Sequence, residues 1–168
     1  MSCLRFVAAL VVGILCGPGP GIAAEQSDGA APSGFSLTGK VKQPQEIGVE
    51  ALQRLPPERV EVSFRTDRGP QQASFTGARL WTLLEMVGGI DDADKSAPLH
   101  HILRITGRDG YWVLLSTGEI APDFGGKPAL VAYQRDGTPL GAAGLRLVMP
   151  SDNHGGRNVR DLVSIEVE

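Results

Sequence analysis

Apolar and polar residues alternate along several short stretches of the chain, which is the pattern of β-strands that bury one face. Val60, Val62 and Phe64 alternate in this way. The same spacing, or a short apolar run, recurs between turn-forming residues along the rest of the chain. These patterns predict strands over residues 35–41, 60–64, 72–75, 102–106, 111–115, 129–133, 145–149 and 163–167.

One stretch has the period of an α-helix instead. Its apolar residues fall at the i, i+3, i+4 and i+7 positions from Leu80 to Val87, and the glycine pair Gly88-Gly89 follows. Because this spacing places the apolar side chains on one helical face, and glycine ends helices, a helix is predicted over residues 78–87. A shorter helical turn is predicted over residues 49–55.

Many short strands, one well-defined helix and frequent glycine turns predict an α+β fold that is compact and β-rich. Asp109-Gly110 lies between two apolar runs and predicts a hairpin turn. Tyr111 and Trp112 are neighbours in the strand that follows, so we expect one to pack inward and the other to face outward. Residues 35–168 suffice for one core, and we expect a single domain there.

The N-terminal segment has a different character. Arg5 precedes an apolar run over residues 6–16, and small residues precede Glu25. This arrangement predicts a secretory signal peptide over residues 1–24, followed by a flexible leader over residues 25–34. The apolar run is too short to span a bilayer as a settled helix. We therefore expect a periplasmic or secreted protein with no stable membrane anchor after cleavage.

Charge and cysteine content argue against several classes of function. The formal net charge is −3 and no basic stripe is present, so nucleic-acid binding is not indicated. The two cysteines, Cys3 and Cys16, both lie in the predicted signal peptide. The mature chain would thus have no disulfide, no zinc–thiolate site and no cysteine nucleophile.

Other side chains do not form a convincing catalytic or metal centre. His100 and His101 are adjacent at a strand start, so their side chains should point to opposite faces. His154 has only Asp152 beside it. We expect the histidines to be exposed polar residues and predict no metal site. No G-x-S-x-G motif is present, and no catalytic residue is predicted.

The segment between the last two predicted strands is the best candidate for binding. It contains Gly155-Gly156, followed by Arg157, Asn158 and Arg160. Glycines allow a backbone to approach a ligand closely, and guanidinium and amide donors suit an anionic group such as phosphate. A surface loop with two solvated arginines would show the same residues.

Several segments together resemble the molybdopterin-binding domain of the sulfite-oxidase-type oxidoreductases. The resemblance extends over nearly all of residues 35–168, and the order and spacing of its segments make it specific. The segments are F-T-G-A-R-L-W-T-L-L-E-M-V-G at 75–88, D-G-Y at 109–111, D-G-T-P-L at 136–140, L-R-L-V-M-P at 145–150 and G-G-R-N-V-R at 155–160.

The resemblance implies a compact mixed α+β domain around a molybdenum ion, which a pterin dithiolene and one protein cysteine hold. It also implies the ligands of the pterin phosphate. Arg157 and Arg160 would contact the phosphate, and Asn158 and the backbone amides of Gly155 and Gly156 would donate to it. Guanidinium groups suit such a partner because phosphate favours planar, multi-donor groups.

The chain departs from this family at the metal ligand. The family's cysteine follows the strand that corresponds to residues 60–64, where this chain reads Phe64-Arg65-Thr66-Asp67. None of these side chains replaces a soft thiolate. The chain also lacks the haem and dimerisation domains of larger relatives, so no haem is expected. It resembles a short, secreted variant of the family without the ligand cysteine.

Three hypotheses follow. The first is a secreted binding or accessory module of a periplasmic redox system, with a pterin-like or other phosphate-bearing ligand at residues 155–160. The second is an active molybdenum-dependent oxidoreductase whose metal is held by a non-cysteine ligand such as Asp67 or water. The third is a structural domain, or one that binds a periplasmic protein partner, without any cofactor.

Overall fold

The computed structural model describes residues 34–66, 69–150 and 152–168. In these residues the chain forms a β-rich fold with short helices between the strands. The strands are β1 Gly34–Gly39, β2 Gln45–Gly48, β3 Glu58–Thr66, β4 Gly69–Arg79, β5 Ile102–Gly107, β6 Trp112–Ser116, β7 Leu130–Arg135, β8 Thr138–Pro139, β9 Arg146–Val148 and β10 Leu162–Val167. The α-helices are α1 Val49–Arg54, α2 Leu80–Met86, α3 Ala97–His100 and α4 Thr117–Ile120, and 3₁₀ turns lie at Ala142–Gly144 and Gly155–Arg157.

The strands form two sheets. The first sheet has the order β2-β1-β10-β5-β6, and the second has the order β3-β4-β7-β8, with β9 also paired to β7. The pair β1–β10 is parallel and the other strand pairs are antiparallel. The last strand therefore lies inside the first sheet, beside the first strand. This mixed architecture agrees with the α+β, β-rich class predicted from the pattern.

The main core uses one face of each sheet together with α2. Leu80, Leu83 and Leu84 of α2 are fully or almost fully buried, as the helical spacing predicted. The second sheet also buries its opposite face in a smaller cluster around Phe75. Adjacent residues of β7 face the two clusters in turn: Val131 belongs to the main core and Leu130 to the smaller cluster.

Strand pairing changes one predicted helix boundary and the predicted alternation of one strand. The helix predicted from residue 78 begins at Leu80, because Ala78 and Arg79 still belong to β4 and pair with β7. In β10 the pairing register shifts between Leu162 and Ser164. Leu162 is consequently buried, whereas Val163, which the alternation had placed inside, is only partly buried. A bulge of this kind reverses the inward and outward phase of a strand.

The aromatic pair at the start of β6 also differs from expectation. Tyr111 and Trp112 are both about half exposed, at 49% and 47%. Trp112 faces outward on an edge strand, where the Arg104 guanidinium lies 4.4 Å from its ring centroid. Tyr111 precedes the strand and extends toward a different loop. The inward positions of β6 are filled instead by Val113 and Leu115.

The predicted signal peptide at residues 1–24 and the leader at residues 25–34 lie, apart from Gly34, outside the described residues, and both remain predictions. Gly34 already pairs with Gly48 in the first sheet. Within the described part of the chain, no helix has the length and apolar character needed to cross a membrane.

Candidate ligand-binding loop

The loop that contains the candidate residues connects the two sheets. It follows β9 of the second sheet and leads into β10 of the first. Two backbone hydrogen bonds fix its ends: Leu147 N–H donates to the Val159 carbonyl at 2.9 Å, and Leu162 N–H donates to the Leu145 carbonyl at 2.8 Å. The alternating apolar residues of the preceding strand anchor it, since Leu145, Leu147 and Met149 are fully buried as predicted.

Arg157 is held by two carboxylates. Its Nε donates to Asp152 Oδ2 at 2.7 Å, and its Nη1 lies 3.0 and 3.1 Å from the two oxygens of Glu119. The three side chains are mostly buried, with exposures of 31% for Arg157, 16% for Asp152 and 20% for Glu119. Its hydrogen-bonding edges are therefore directed at groups of the protein.

Lys127 completes this network by pairing with Glu119. Burial by itself raises the pKa of Glu119, but the hydrogen bonds from Lys127 and Arg157 outweigh it, so the pKa lies below its ordinary value. The hydrogen bonds to Asp152 and Glu119 raise the pKa of Arg157 despite burial. Two cations and two anions balance one another here, and the network attracts little further negative charge.

Asn158 shapes the loop from inside. Its Oδ1 accepts a hydrogen bond from the Met149 N–H at 2.7 Å, and its own N–H donates to the Gly155 carbonyl at 3.0 Å. Tyr111 supports the other side, because its hydroxyl donates to the Gly156 carbonyl at 2.6 Å. These bonds use acceptor atoms of the loop and hold its backbone in place.

Gly156 and Arg160 face outward. Gly156 is exposed, and a Cβ placed on it would meet no heavy atom within 4 Å. Arg160 is exposed and forms no ion pair with any described residue. Of the five candidate residues, Arg157 and Asn158 thus serve internal contacts, Gly155 is partly buried, and Gly156 and Arg160 are exposed.

Sequence reasoning missed the two acidic partners and one further arginine. Glu119 is 38 residues from Arg157, and no local pattern connects them. Arg146 occupies an outward position of the alternating strand β9 and would be expected in solvent. It is instead partly buried, and its Nε has no hydrogen-bond partner within the part of the chain that the structure describes.

The three histidines differ in exposure and in contacts. His101 is only 4% exposed, so the expectation of an exposed residue was wrong for it, whereas His100 beside it is exposed as expected. His101 Nδ1 lies 2.9 Å from the Glu168 carbonyl, and Nε2 lies 3.0 Å from Asp92 Oδ2. No group of three or more potential metal ligands occurs among the residues described.

The position of the family's ligand cysteine is part of a hairpin. Strand β3 continues to Thr66, which pairs with Gly69 at the start of β4. No cysteine follows Cys16 in the sequence. These residues do not fit a thiolate-held molybdenum ion, because none of residues 64–67 is a cysteine. Asp67, the alternative ligand suggested by the sequence, lies outside the described residues.

Neither a protein-family model nor a curated protein sequence matches the chain. Solved structures do match, among them the crystal structure of the sulfane dehydrogenase SoxCD from Paracoccus pantotrophus. That match has a TM-score of 0.63 and 17% sequence identity, and it covers 79% of this chain but only 37% of the other. At this identity the similarity establishes a common fold, so over most of its length the chain has the fold of one portion of that sulfane dehydrogenase structure.

Proposed function

We propose that the chain is a binding module of a periplasmic redox system, built on the sulfite-oxidase-type fold. Its ligand is a pterin-like or other phosphate-bearing molecule, which it holds at residues 155–160 without a molybdenum centre. The resemblance in sequence supports the ligand class. The fold shared with a sulfane dehydrogenase supports redox chemistry of sulfur as the context.

The observation that carries the proposal is the division of roles within the loop. Arg157 and Asn158 fix the backbone through internal contacts, while Arg160 and Gly156 stay exposed beside them. A loop whose shape is already fixed loses little conformational entropy when it binds. The exposed backbone of Gly156 and the guanidinium of Arg160, which has no ion pair among the described residues, are donors for an anionic group. Gly155, Gly156 and Arg160 would thus contact the ligand, with Arg157 and Asn158 in a supporting role.

The proposal assigns no metal chemistry to the chain. Oxygen-atom transfer in the related family depends on a cysteine-held molybdenum ion, and the residues after Cys16 offer no thiolate. An active oxidoreductase with a different metal ligand is the competing hypothesis. It requires molybdenum in the purified protein.

The test is the content of pterin and molybdenum in the native protein. The full chain is expressed in a bacterium that makes the cofactor and is purified gently. Pterin is then measured by fluorescence after oxidative release, and molybdenum by elemental analysis. We expect about one pterin per chain and no molybdenum. Stoichiometric molybdenum would favour the oxidoreductase instead, and the absence of both would exclude a pterin as the ligand.

A matched pair of variants locates the ligand. Arg160→Ala removes an exposed arginine of the loop that has no ion pair among the residues described. We expect it to reduce the pterin content about tenfold or more, since charge-assisted hydrogen bonds are lost. Arg54→Ala removes one exposed arginine from α1 and serves as the control, because it changes the net charge equally. Equal losses in both variants would show that net charge, and not the loop, determines retention.

A second candidate function is favoured by the edge of the first sheet. Among the strands that the structure describes, β6 pairs only with β5, and it presents Trp112 and Leu114 outward at 47% and 45% exposure. Exposed apolar side chains on a free strand edge are a site where another strand can pair. The occupant we consider is a second copy of the chain, whose own β6 offers the same edge and the same apolar residues.

Sedimentation velocity over a range of concentrations tests this candidate. Dimers that dissociate in Leu114→Lys would support pairing through β6, because a charge would then face the apolar side chains of the other copy. A monomer at every concentration would exclude the second copy as the occupant.

A further inference from the structure

The exposed apolar side chains of the described residues are concentrated beside one strand. Four of the five large ones lie on β6, on the residue before it, or on α3, which packs against β6. These four residues are Leu99, Tyr111, Trp112 and Leu114. Each of them is between 45% and 50% exposed. Single apolar residues on a surface need no explanation, but a group of them along one strand edge indicates a surface that another chain covers.

The other sheet edges of the described chain are protected by their sequences. Exposed charges lie on β3, at Arg59 and Glu61, and on β2, at Glu46. Strands β8 and β9, which share the remaining edge, are only two and three residues long. Charges and short length are features that keep a strand edge from pairing with another chain. Strand β6 is different, since its five residues include neither a charged residue nor a proline.

The pairing of β6 with β5 determines which of its backbone groups point to the open edge. Gly107 N–H donates to the Tyr111 carbonyl at 2.8 Å, and Thr117 N–H donates to the His101 carbonyl at 3.0 Å, one at each end of the strand. In an antiparallel pair, residues that bond to the neighbouring strand alternate with residues whose N–H and carbonyl groups point away from it. The residues whose backbone groups point to the open edge are therefore Trp112, Leu114 and Ser116.

We propose that β6 pairs with β6 of a second copy of the chain, antiparallel and with the two-fold axis at Leu114. In this register Leu114 faces its counterpart, and Trp112 of each copy faces Ser116 of the other. Every position whose backbone groups point to the open edge then faces such a position of the other copy, as hydrogen bonding between antiparallel strands requires. The indole lies opposite a small side chain, and no like charges meet on β6.

The same register extends beyond the strand. It places Tyr111 of one copy opposite Thr117 of the other, at the start of α4. Leu99 lies at this point of the fold, because a Cβ placed on Gly118 would meet its Cδ2 at 3.0 Å. The pairing would thus bring the exposed apolar residues of this edge together. A two-fold interface is self-complementary and closes at two copies, so it does not lead to a longer assembly.

This inference rests on the second candidate function, the association of two copies through β6, and deepens it by fixing the register. Disulfide formation at single introduced cysteines tests that register, after Cys3→Ser and Cys16→Ser have removed the two cysteines of the sequence. Directly opposite residues of an antiparallel pair have Cα atoms about 5.5 Å apart or less, which a disulfide can bridge. Trp112 would lie about 13 Å or more from its counterpart, four residues along the strand, and beyond that reach.

The expected pattern differs between neighbouring positions. Leu114→Cys should form a covalent dimer under mild oxidation, at a concentration where the unaltered protein sediments as a dimer. Trp112→Cys and Ser116→Cys should each remain unlinked alone and should link to each other when the two are mixed before oxidation. Gln45→Cys is the matched control, because Gln45 is exposed on β2 at the opposite edge of the same sheet, and it should remain unlinked.

The outcomes separate the register from the association itself. A monomer at every concentration in sedimentation velocity would overturn both this inference and the second candidate function. A dimer that links in Trp112→Cys alone or in Gln45→Cys, or that does not link in Leu114→Cys, would overturn the register and leave the association of two copies standing. The pterin content, which tests the ligand proposed for residues 155–160, enters neither result.

Discussion

The Nη1 of Arg157 lies 3.0 and 3.1 Å from the two carboxylate oxygens of Glu119, a residue of α4. Asp152 holds the opposite edge of the same guanidinium. The ion pair therefore connects the candidate loop to the short helix that follows β6. Arg157 therefore fixes the position of the loop backbone that carries the other candidate donors.

This relationship predicts a loss of stability in Glu119→Gln. The replacement keeps the shape of the side chain but leaves Arg157 and Lys127 with a neutral partner. We expect the free energy of unfolding to fall by about 1–2 kcal/mol, since the pair is mostly buried and hydrogen-bonded. Urea denaturation followed by circular dichroism measures the change.

Glu50→Gln is the control for this variant. Glu50 pairs with Arg54 at 3.9 Å, and both side chains are at least 80% exposed. Exposed pairs of this kind contribute about 0.5 kcal/mol or less. A similar loss in the two variants would show that the Arg157–Glu119 contact gives no special stability.

The lowered pKa of Glu119 predicts a pH dependence. Burial opposes the ionised form, but Lys127 and Arg157 stabilise it more strongly, so the folded protein keeps this carboxylate ionised at lower pH than the unfolded chain does. The stabilisation is complete above the ordinary glutamate pKa of about 4.3 and is lost as the pH falls through the lower, folded value. The difference in unfolding free energy between the unaltered protein and Glu119→Gln should therefore be largest near neutral pH and shrink toward about pH 3. A difference that is constant over this range would mean that the carboxylate charge does not contribute.

The hydrogen bond to Asn158 Oδ1 predicts that two replacements of this residue differ in stability. Its Oδ1 accepts from the Met149 N–H at 2.7 Å, at a point where the chain leaves the buried end of β9. Asn158→Ala leaves this N–H without a partner and should cost about 1–3 kcal/mol of stability. Asn158→Asp retains an oxygen at the same position and should cost clearly less. Thermal unfolding of both variants measures the effect, and equal losses would argue against the hydrogen bond as its cause.

The alternation of apolar residues predicted much of this fold, because successive side chains of a strand point to opposite faces of the sheet and only one set is buried. Leu145, Leu147 and Met149 are buried as expected, and so is the apolar face of α2. The predicted alternation is wrong at the start of β10, where the register shift places Leu162 inside in place of Val163. A bulge of this kind depends on the pairing with β5, which the sequence of β10 alone does not encode.

The glycines and donor side chains of the candidate loop could be recognised in the sequence. The role of each residue in the loop could not be predicted from the sequence. Arg157 and Arg160 are chemically identical in the sequence, and only the fold brings Glu119 to one of them. Arg146 escaped notice because its strand position indicated solvent, whereas the small cluster around Phe75 gives the second sheet a second buried face. Long-range pairing decides which cations are neutralised and which remain available.

His101 gives the last prediction, which concerns the C-terminus. Its ring contacts the Glu168 carbonyl through Nδ1 and the Asp92 carboxylate through Nε2. Both neighbours are acceptors, so the contacts of the ring connect Glu168, which follows β10, to the loop before α3. His101→Leu has a similar volume but no donor, and it leaves the carbonyl without this partner. We expect the free energy of unfolding to fall by about 1–3 kcal/mol, measured by urea denaturation.

His100→Leu is the matched control, because the same replacement then falls on the adjacent, exposed residue. Surface changes away from such contacts usually stay within about 0.5 kcal/mol. Hydrogen exchange at the backbone amides of β10 adds a second measurement, since loosening of the C-terminus should speed exchange near Val167 in His101→Leu and not in His100→Leu. If both variants lose the same stability, or if exchange in β10 is unchanged, then His101 does not anchor the last strand, and the burial of its ring reflects packing alone.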